Sequence, residues 1–220
     1  LEEALSQLSW INRLLGSAWV TLEGVVTLWR RAGRPRHLHL LDVGAGAGDI
    51  NRVLLRWARQ AGVDLRITLV DIHPETCRHA AHQFRDEERV TVEQGDLFAL
   101  GARRADIVTA SLVLHHVETA QLESALLSLR RAARLGVVIN DLHRHPLAVA
   151  FIAAATRLLS RNPMIRHDAP LSVRRGFRAA ELEALGQRPG LAGLRCRWRP
   201  FFRYLVTLPG GGPENPVLPH

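Results

Sequence analysis

The sequence predicts an α/β fold: a doubly wound, mostly parallel sheet with helices on both faces. Three observations carry that expectation. Short apolar, β-branched runs alternate with amphipathic helical stretches over residues 39–139. A glycine-rich turn joins the first of those strands to its helix. Two more β-like runs, residues 194–198 and 202–208, end the fold around Pro200 in the manner of a hairpin.

Ahead of the sheet, Leu5, Leu8, Ile11, Leu14 and Leu15, then Trp19, Leu22, Val26 and Trp29, recur at helical spacing and predict two helices. Gly33-Arg34-Pro35-Arg36 then makes a turn. The first strand is expected over residues 39–43, its helix over 50–60, and the second strand over 65–70. A helix opens at Pro74, because a first-turn proline loses no hydrogen bond. Residues 89–93 and 106–111 read as strands three and four, 119–133 as a helix, and 137–139 as strand five. Residues 146–159 form a helix that is apolar all round, expected to be buried with one side lining a ligand pocket. Residues 160–170 read as irregular and 179–185 as a helix. From Pro209 onward glycine and proline dominate, which predicts a flexible tail.

Composition narrows the chemistry. The chain has 220 residues and a formal charge of +8, and all 29 of its basic residues are arginine. Without lysine there is no Schiff-base enzyme, no Walker A loop and no protein kinase. The arginines are scattered from Arg13 to Arg203, so they read as surface charge, with an anionic partner as the alternative. Cys77 and Cys196 form neither a CxxC pair nor a disulfide framework, which fits a reducing, cytoplasmic compartment. The longest uncharged apolar stretch, residues 146–156, falls short of the ~20 residues a bilayer span requires, so no stable membrane insertion is expected. No signal-peptide pattern is visible.

The most specific motif is Asp42-Val43-Gly44-Ala45-Gly46-Ala47-Gly48-Asp49, running from strand through turn into helix. Such a turn lets a ligand approach the backbone, and the helix N-terminus offers N–H groups and a positive dipole end. The spacing is GxGxG and not the dinucleotide GxGxxG. Asp42 sits awkwardly beside a pyrophosphate but suits an ammonium group, while the helix N-terminus suits a carboxylate. An amino-acid-bearing nucleoside presents both. Asp71 ends strand two, where an acid commonly bonds ribose hydroxyls. Asp96 follows strand three, where a carboxylate can accept from an adenine amino group.

These residues resemble the class I S-adenosylmethionine-dependent methyltransferases. The acid-x-Gly-x-Gly-x-Gly signature is met by Asp42, Gly44, Gly46 and Gly48. The stretch from Ala105 to Val117 resembles the small-molecule branch that includes quinone and polyketide methyltransferases. The resemblance covers about residues 40–141. It implies a Rossmann-like seven-stranded sheet with an antiparallel C-terminal strand, plus N-terminal helices. It implies one methyltransferase domain over residues 1–208, with 1–34 as a helical lid and 143–178 as a substrate-side insertion, then a flexible tail over 209–220. The implied cofactor is S-adenosyl-L-methionine. Its site would take Ala45 and Ser111 beside the loop glycines, Asp71 at the ribose, Ile72 against the adenine, and Asp96 with Leu97 at the adenine edge.

The implied reaction is in-line methyl transfer to a small apolar or aromatic acceptor, with O-methylation expected. Acceptor and donor would meet beyond the C-terminal ends of strands four and five. A phenol, with a pKa of ~10, would gain from a nearby histidine. His115 and His116 follow strand four; His143 and His145 follow strand five. His143 and His116 are the catalytic candidates, since Asp141 shares a direction with His143 if the chain stays extended and would orient it. Asn12, Arg13, His115 and Arg174 are the candidate acceptor contacts. Asn12 and Arg13 interrupt an apolar stripe in a region the family folds over the site. No metal is expected, because Asn140-Asp141 reverses the order of the metal-dependent catechol-type enzymes and has no second acid. The expected partner is a small molecule and not nucleic acid, on a monomer or homodimer. Two alternatives stay open: an RNA methyltransferase, which the charge of +8 keeps in play, and a non-catalytic cofactor-binding protein.

Overall fold

The structure, a computed structural model, describes residues 17–211 except 103 and 161. The candidate contacts Asn12 and Arg13 and the first expected helix lie outside the described residues. Helix α1 (Ser17–Arg31) leads into β1 (His37–Val43), α2 (Asp49–Ala61), β2 (Asp64–Asp71), α3 (Pro74–Gln83), β3 (Val90–Gln94) and β4 (Ala105–Ser111). Then come α4 (Leu122–Ala132), β5 (Ala133–Leu142), α5 (Pro146–Leu159), α6 (Pro163–Arg175) and α7 (Ala179–Gly186). Strands β6 (Arg195–Arg199) and β7 (Arg203–Pro209) finish the sheet.

The seven strands lie in the order β3-β2-β1-β4-β5-β7-β6. Strands β1 to β5 pair in parallel, and β7 runs antiparallel between β5 and β6. The Rossmann-like expectation therefore holds down to the antiparallel closing strand. Period-two alternation splits each strand between two cores. Leu40, Ile107, Val138 and Leu205 pack against α1, α2 and Ala80 of α3. Leu41, Val43, Val108, Ile139 and Val206 pack against α4 and Leu182 of α7. The chain winds outward in opposite directions from β1 and β4. In such sheets, ligands bind off the carboxyl ends of the strands at that switch point.

Three expectations need correction. Strand β5 is longer than residues 137–139, spanning Ala133–Leu142. Its first residues, Ala-Arg-Leu-Gly, look like a helix end, and its last include Asn140 and Asp141, which are buried polar residues in a strand. Residues 160–170 are not irregular, because α6 runs over Pro163–Arg175. It starts on an Asn162 side-chain cap to Met164 N (3.0 Å) and carries Pro170 within it. An internal proline breaks one helical hydrogen bond and disguises the pattern. The expected tail start at Pro209 is also too early. Pro209 ends β7, Gly210 N donates to Leu135 O (3.2 Å) and Gly211 N to Arg130 O (3.0 Å).

Helices α5 and α6 pack on each other through Ala148, Ile152, Ile165 and Val173. Both ends of this excursion are fastened at one place: His143 bridges Phe177, and Arg144 N donates to Phe177 O (2.8 Å). The two helices thus sit as a clipped unit on the carboxyl end of β5. Helix α5 is not buried all round: Leu147, Phe151 and Leu158 are exposed. No helix among the described residues is long and apolar enough to cross a membrane.

Candidate active site

The glycine loop lies between β1 and α2 at the switch point. Gly44, Gly46 and Gly48 all take left-handed backbone angles, with φ of 65°, 56° and 76°. Two of them are glycine for packing: a Cβ on Gly44 would lie 2.4 Å from Val113, and one on Gly48 would lie 2.6 Å from Phe84. Gly46 differs, since a Cβ there would meet nothing within 4 Å. Its carbon faces open space, as a loop that admits a ligand requires. Gly44 N and Ala45 N donate to Val70 O (2.7 and 3.2 Å), and Gly46 N donates to Asp71 Oδ2 (3.1 Å). Asp71 thus braces the loop, with its Oδ1 accepting from His73 N (3.0 Å).

Asp42 is not the open carboxylate that the motif alone evokes. It is 3% exposed, and accepts from Asn51 Nδ2 and Thr109 Oγ1, both at 2.6 Å. Burial raises its pKa to about 6, aided by the charge of Asp71 and opposed by the two hydrogen bonds. It acts from behind the loop as a buried negative charge. Asn51 Oδ1 is also buried and has no hydrogen-bond partner. A crevice backed by a raised carboxylate and an orphaned acceptor calls for a ligand with donors and positive charge.

Farther along the edge, Asp96 Oδ1 accepts from Phe98 N (2.9 Å) and so caps the turn Leu97–Ala99. Ile72 and Phe98 expose much of their apolar surface, while Leu97 packs onto the core. Ser111 is tied up differently from expectation: its Oγ lies 2.8 Å from Thr21 Oγ1 of α1. Asn140 Nδ2 reaches Ser17 O and Oγ at 2.9 Å and Thr21 Oγ1 at 3.2 Å. This buried clamp fixes the start of α1 to the ends of β4 and β5. The sequence reading missed Asn140, Ser17 and Thr21; the one available signal was an amide in an otherwise apolar strand.

The crevice continues at Leu112, which holds φ 61° and donates its N–H to Asn140 O (2.8 Å). A left-handed leucine is strained, and such strain concentrates at functional sites. The short turn Leu114–His116 then folds back onto β5. There His115 Nδ1 lies 2.7 Å from Asp141 Oδ1, and both side chains are buried. Asp141 also accepts from Leu142 N (2.8 Å), Leu114 N (2.9 Å) and His115 N (3.3 Å). A carboxylate only accepts, so Nδ1 carries the hydrogen and Nε2 is left as the basic nitrogen. His116 stacks at 4.0 Å on His115, and burial, with the neighbouring His115, lowers its pKa.

Both histidines line a cavity of about 320 Å³. Leu112 and Leu142 form its floor, Ala148, Phe151 and Ile152 of α5 one wall, and Ala169 and Val173 of α6 another. Phe201, Phe202 and Arg203 enter from the β6–β7 turn. Leu112 is followed by Val113, which packs on Gly44, so cavity and glycine loop adjoin.

His143 does not join this group. Asp141 orients His115 instead, and His143 packs between Tyr204 (4.8 Å between rings) and His145 (5.3 Å), away from the cavity lining. Its Nδ1 is buried without a hydrogen-bond partner, and burial lowers its pKa, with His145 adding to the effect. Its backbone is held there by the bridge to Phe177. Arg174 is exposed, while α6 presents Ala169, Ser172 and Val173 to the cavity. Arg203, buried at the cavity, was missed because an arginine in a strand gives no sign of facing inward. Among the described residues, no three or more His, Cys, Asp or Glu cluster in a way that could hold a metal ion.

Comparison with known proteins agrees with this geometry. The model of the methyltransferase domain family matches residues 41–139. The fold is similar to magnesium protoporphyrin IX methyltransferase from Synechocystis PCC 6803 with bound SAH, at 17% identity and TM-score 0.60, covering 90% of this chain and 85% of that one. It is similar to the CurJ carbon methyltransferase at 14% identity and TM-score 0.63, covering 88% of this chain and 54% of that one. A putative O-methyltransferase from Nostoc punctiforme shares 15% identity at TM-score 0.61, covering 89% of this chain and 56% of that one. No curated protein matches by sequence. Glycine loop, strand order and matched stretch agree: residues 41–139 match the methyltransferase domain model, and the sheet has the Rossmann-like order of the similar structures.

Proposed function

We propose that the protein is an S-adenosylmethionine-dependent methyltransferase acting on a small acceptor held in the α5–α6 cavity, with His115 as the proton acceptor. The observation that carries this reading is the His115–Asp141 pair at 2.7 Å, lining a cavity that adjoins the glycine loop. S-adenosylmethionine, when bound, supplies a methyl group already activated on a sulfonium. The residues present fit it: Gly46 leaves the approach open, and Asp42 with Asn51 Oδ1 backs the loop as acceptors for an ammonium group. Asp71, Ile72, Asp96 and Leu97 sit at successive strand ends where ribose and adenine would lie. The neighbour with bound SAH supports that choice.

What remains for the protein is positioning and proton management. Apolar walls from α5 and α6 exclude water, which strengthens the electrostatics inside. Asp141 holds the His115 ring with Nε2 as the acceptor, so that nitrogen takes the proton from the acceptor's O–H or activated C–H. A general base of this kind contributes about 10²–10⁴-fold. His116, neutral through burial, packs the ring and contacts the acceptor. The neighbours include both carbon and oxygen methyltransferases, and a histidine base serves either nucleophile. We favour O-methylation of an enol or phenol, whose single O–H proton suits one acceptor nitrogen, His115 Nε2. The test is incubation with methyl-labelled S-adenosylmethionine and phenolic, quinol and polyketide acceptors, read by mass spectrometry. Label is expected on an oxygen; label on carbon overturns the O-methyl reading, and no transfer to any acceptor overturns the enzyme reading.

A further inference from the structure

Apolar surface is left uncovered mostly in one region. Nine large hydrophobic side chains are exposed among the described residues, and five of them, Leu147, Phe151, Leu158, Met164 and Phe201, belong to α5, the first turn of α6 and the β6–β7 turn. Leu147, Phe151, Ala154 and Leu158 follow at steps of four, three and four, so they form one stripe along α5, and all four are exposed. Phe151 and Phe201 also line the cavity, so the stripe runs on to its mouth. A hairpin turn with two positive φ angles in a row normally takes asparagine or glycine, yet this one holds Phe201 and Phe202 at 61° and 54°. Such a strained placement of an exposed aromatic points to a use for it. The same region concentrates charge. Residues 146–178 carry six arginines against one acid, Asp168, which is five of the chain's eight net positive charges. Among the described residues, Arg157, Arg166, Arg174 and Arg175 are exposed and pair with no acid. Arg166 is held at the α5–α6 corner, beside the Leu158 end of the stripe, with Nε donating to Ser160 O (2.7 Å) and Nη2 to Arg157 O (2.9 Å).

We propose that the exposed face of α5, with the β6–β7 turn, is a docking surface for an anionic membrane. Leu147, Phe151, Leu158 and Phe201 enter the headgroup region, and the arginines of α5 and α6 meet the anionic headgroups. Apolar side chains beside unpaired cations match both parts of a lipid surface, and the two contributions add. The helix lies in that surface and does not cross it, since no helix among the described residues is long and apolar enough to span. A second copy of the chain fits this face less well, because a two-fold contact would set its arginines against themselves. Docking in this way places the cavity mouth against lipid. It needs neither cofactor nor acceptor, so it goes beyond the methyltransferase reading and stands or falls apart from it.

The test is co-sedimentation of the full chain with vesicles of phosphatidylcholine alone, or of phosphatidylcholine and phosphatidylglycerol in equal parts. Binding to the anionic vesicles is expected to be at least tenfold tighter than to the neutral ones, and at least tenfold weaker at ~0.5 M salt than at ~0.05 M. Leu147→Ser with Leu158→Ser is expected to lose at least tenfold in affinity at an unchanged melting temperature. Trp198→Ser, which alters an exposed aromatic on β6, is expected to stay within about twofold. Arg157→Gln with Arg174→Gln leaves the apolar stripe intact and is expected to weaken anionic binding at least fivefold. No binding to anionic vesicles, equal binding to both kinds, or equal losses in the serine pair and Trp198→Ser overturns the proposal, as does an arginine pair that binds like the unaltered protein. Affinity retained in the serine pair overturns it too, since an acidic protein and not a bilayer would then suit the arginines. A dimer that the serine pair splits would give the face to a second copy, and a marked fall in that variant's melting temperature would mean that the chain itself covers it; either result overturns the membrane assignment.

Discussion

The two halves of the crevice are built in different ways. On the donor side, the loop after β1 gathers Asp42, Gly44, Gly46 and Gly48 within seven residues, and Asp71 and Asp96 follow at the next two strand ends. On the proposed acceptor side, His115, Asp141 and Arg203 come from the turn after β4, from β5 and from β7 and meet only in three dimensions. A ligand recognised through backbone and strand ends leaves a local motif in the chain. A cavity lined by side chains from distant elements leaves almost none.

The sharpest way to break this contrast is to compare the two candidate bases. His115→Ala is expected to slow methyl transfer by about 10²–10⁴-fold, the usual worth of a general base, whereas His143→Ala leaves turnover within about twofold. Equal losses in label-transfer assays would return His143 to the site and undo the acceptor geometry.

The donor side is also where charge strain is stored. The Asp42 pKa is raised from 3.8 to about 6 in the folded chain. The folded state therefore holds its proton to higher pH than the unfolded chain. Stability from this group is full below pH ~4 and is lost as pH rises to ~6, by about 3 kcal/mol. Asp42→Asn should accordingly gain stability over the unaltered protein in urea unfolding as pH rises from 4 to 7, and should weaken donor binding. A constant difference across that range would mean that the carboxylate is not strained.

The glycines sharpen the same side further. Gly48→Ala should cost about 2–3 kcal/mol, from left-handed strain plus the overlap with Phe84 and Leu69. Gly46→Ala should cost only about 1–2 kcal/mol, the strain alone. Similar melting temperatures for the two variants would contradict their assigned roles.

These differences explain how much of the molecule could be read in advance. The alternation over residues 39–139 and the loop follow from local rules, so strand order and the glycine turn were legible. Helix α6 was not, because Pro170 and a mixed Arg-His-Asp face hide its period. The end of β5 was not, since Asn140 and Asp141 are polar residues kept inside by partners on α1 and after β4. His143 is the histidine nearer to Asp141 along the strand, but a carboxylate bonds the donor that comes within reach, and that is His115. Arg203 was passed over because nothing local records which face of a closing strand meets a cavity.

The separation of the two halves is tested most directly by calorimetric titration of S-adenosylhomocysteine into Gly46→Val and His115→Ala side by side. Gly46→Val places side-chain atoms where the loop is open, and is expected to lower affinity at least 100-fold in a protein that still folds. His115→Ala is expected to stay within about twofold of the unaltered protein. Retained affinity in Gly46→Val, or a comparable loss in His115→Ala, would contradict the division of the crevice into donor and acceptor halves.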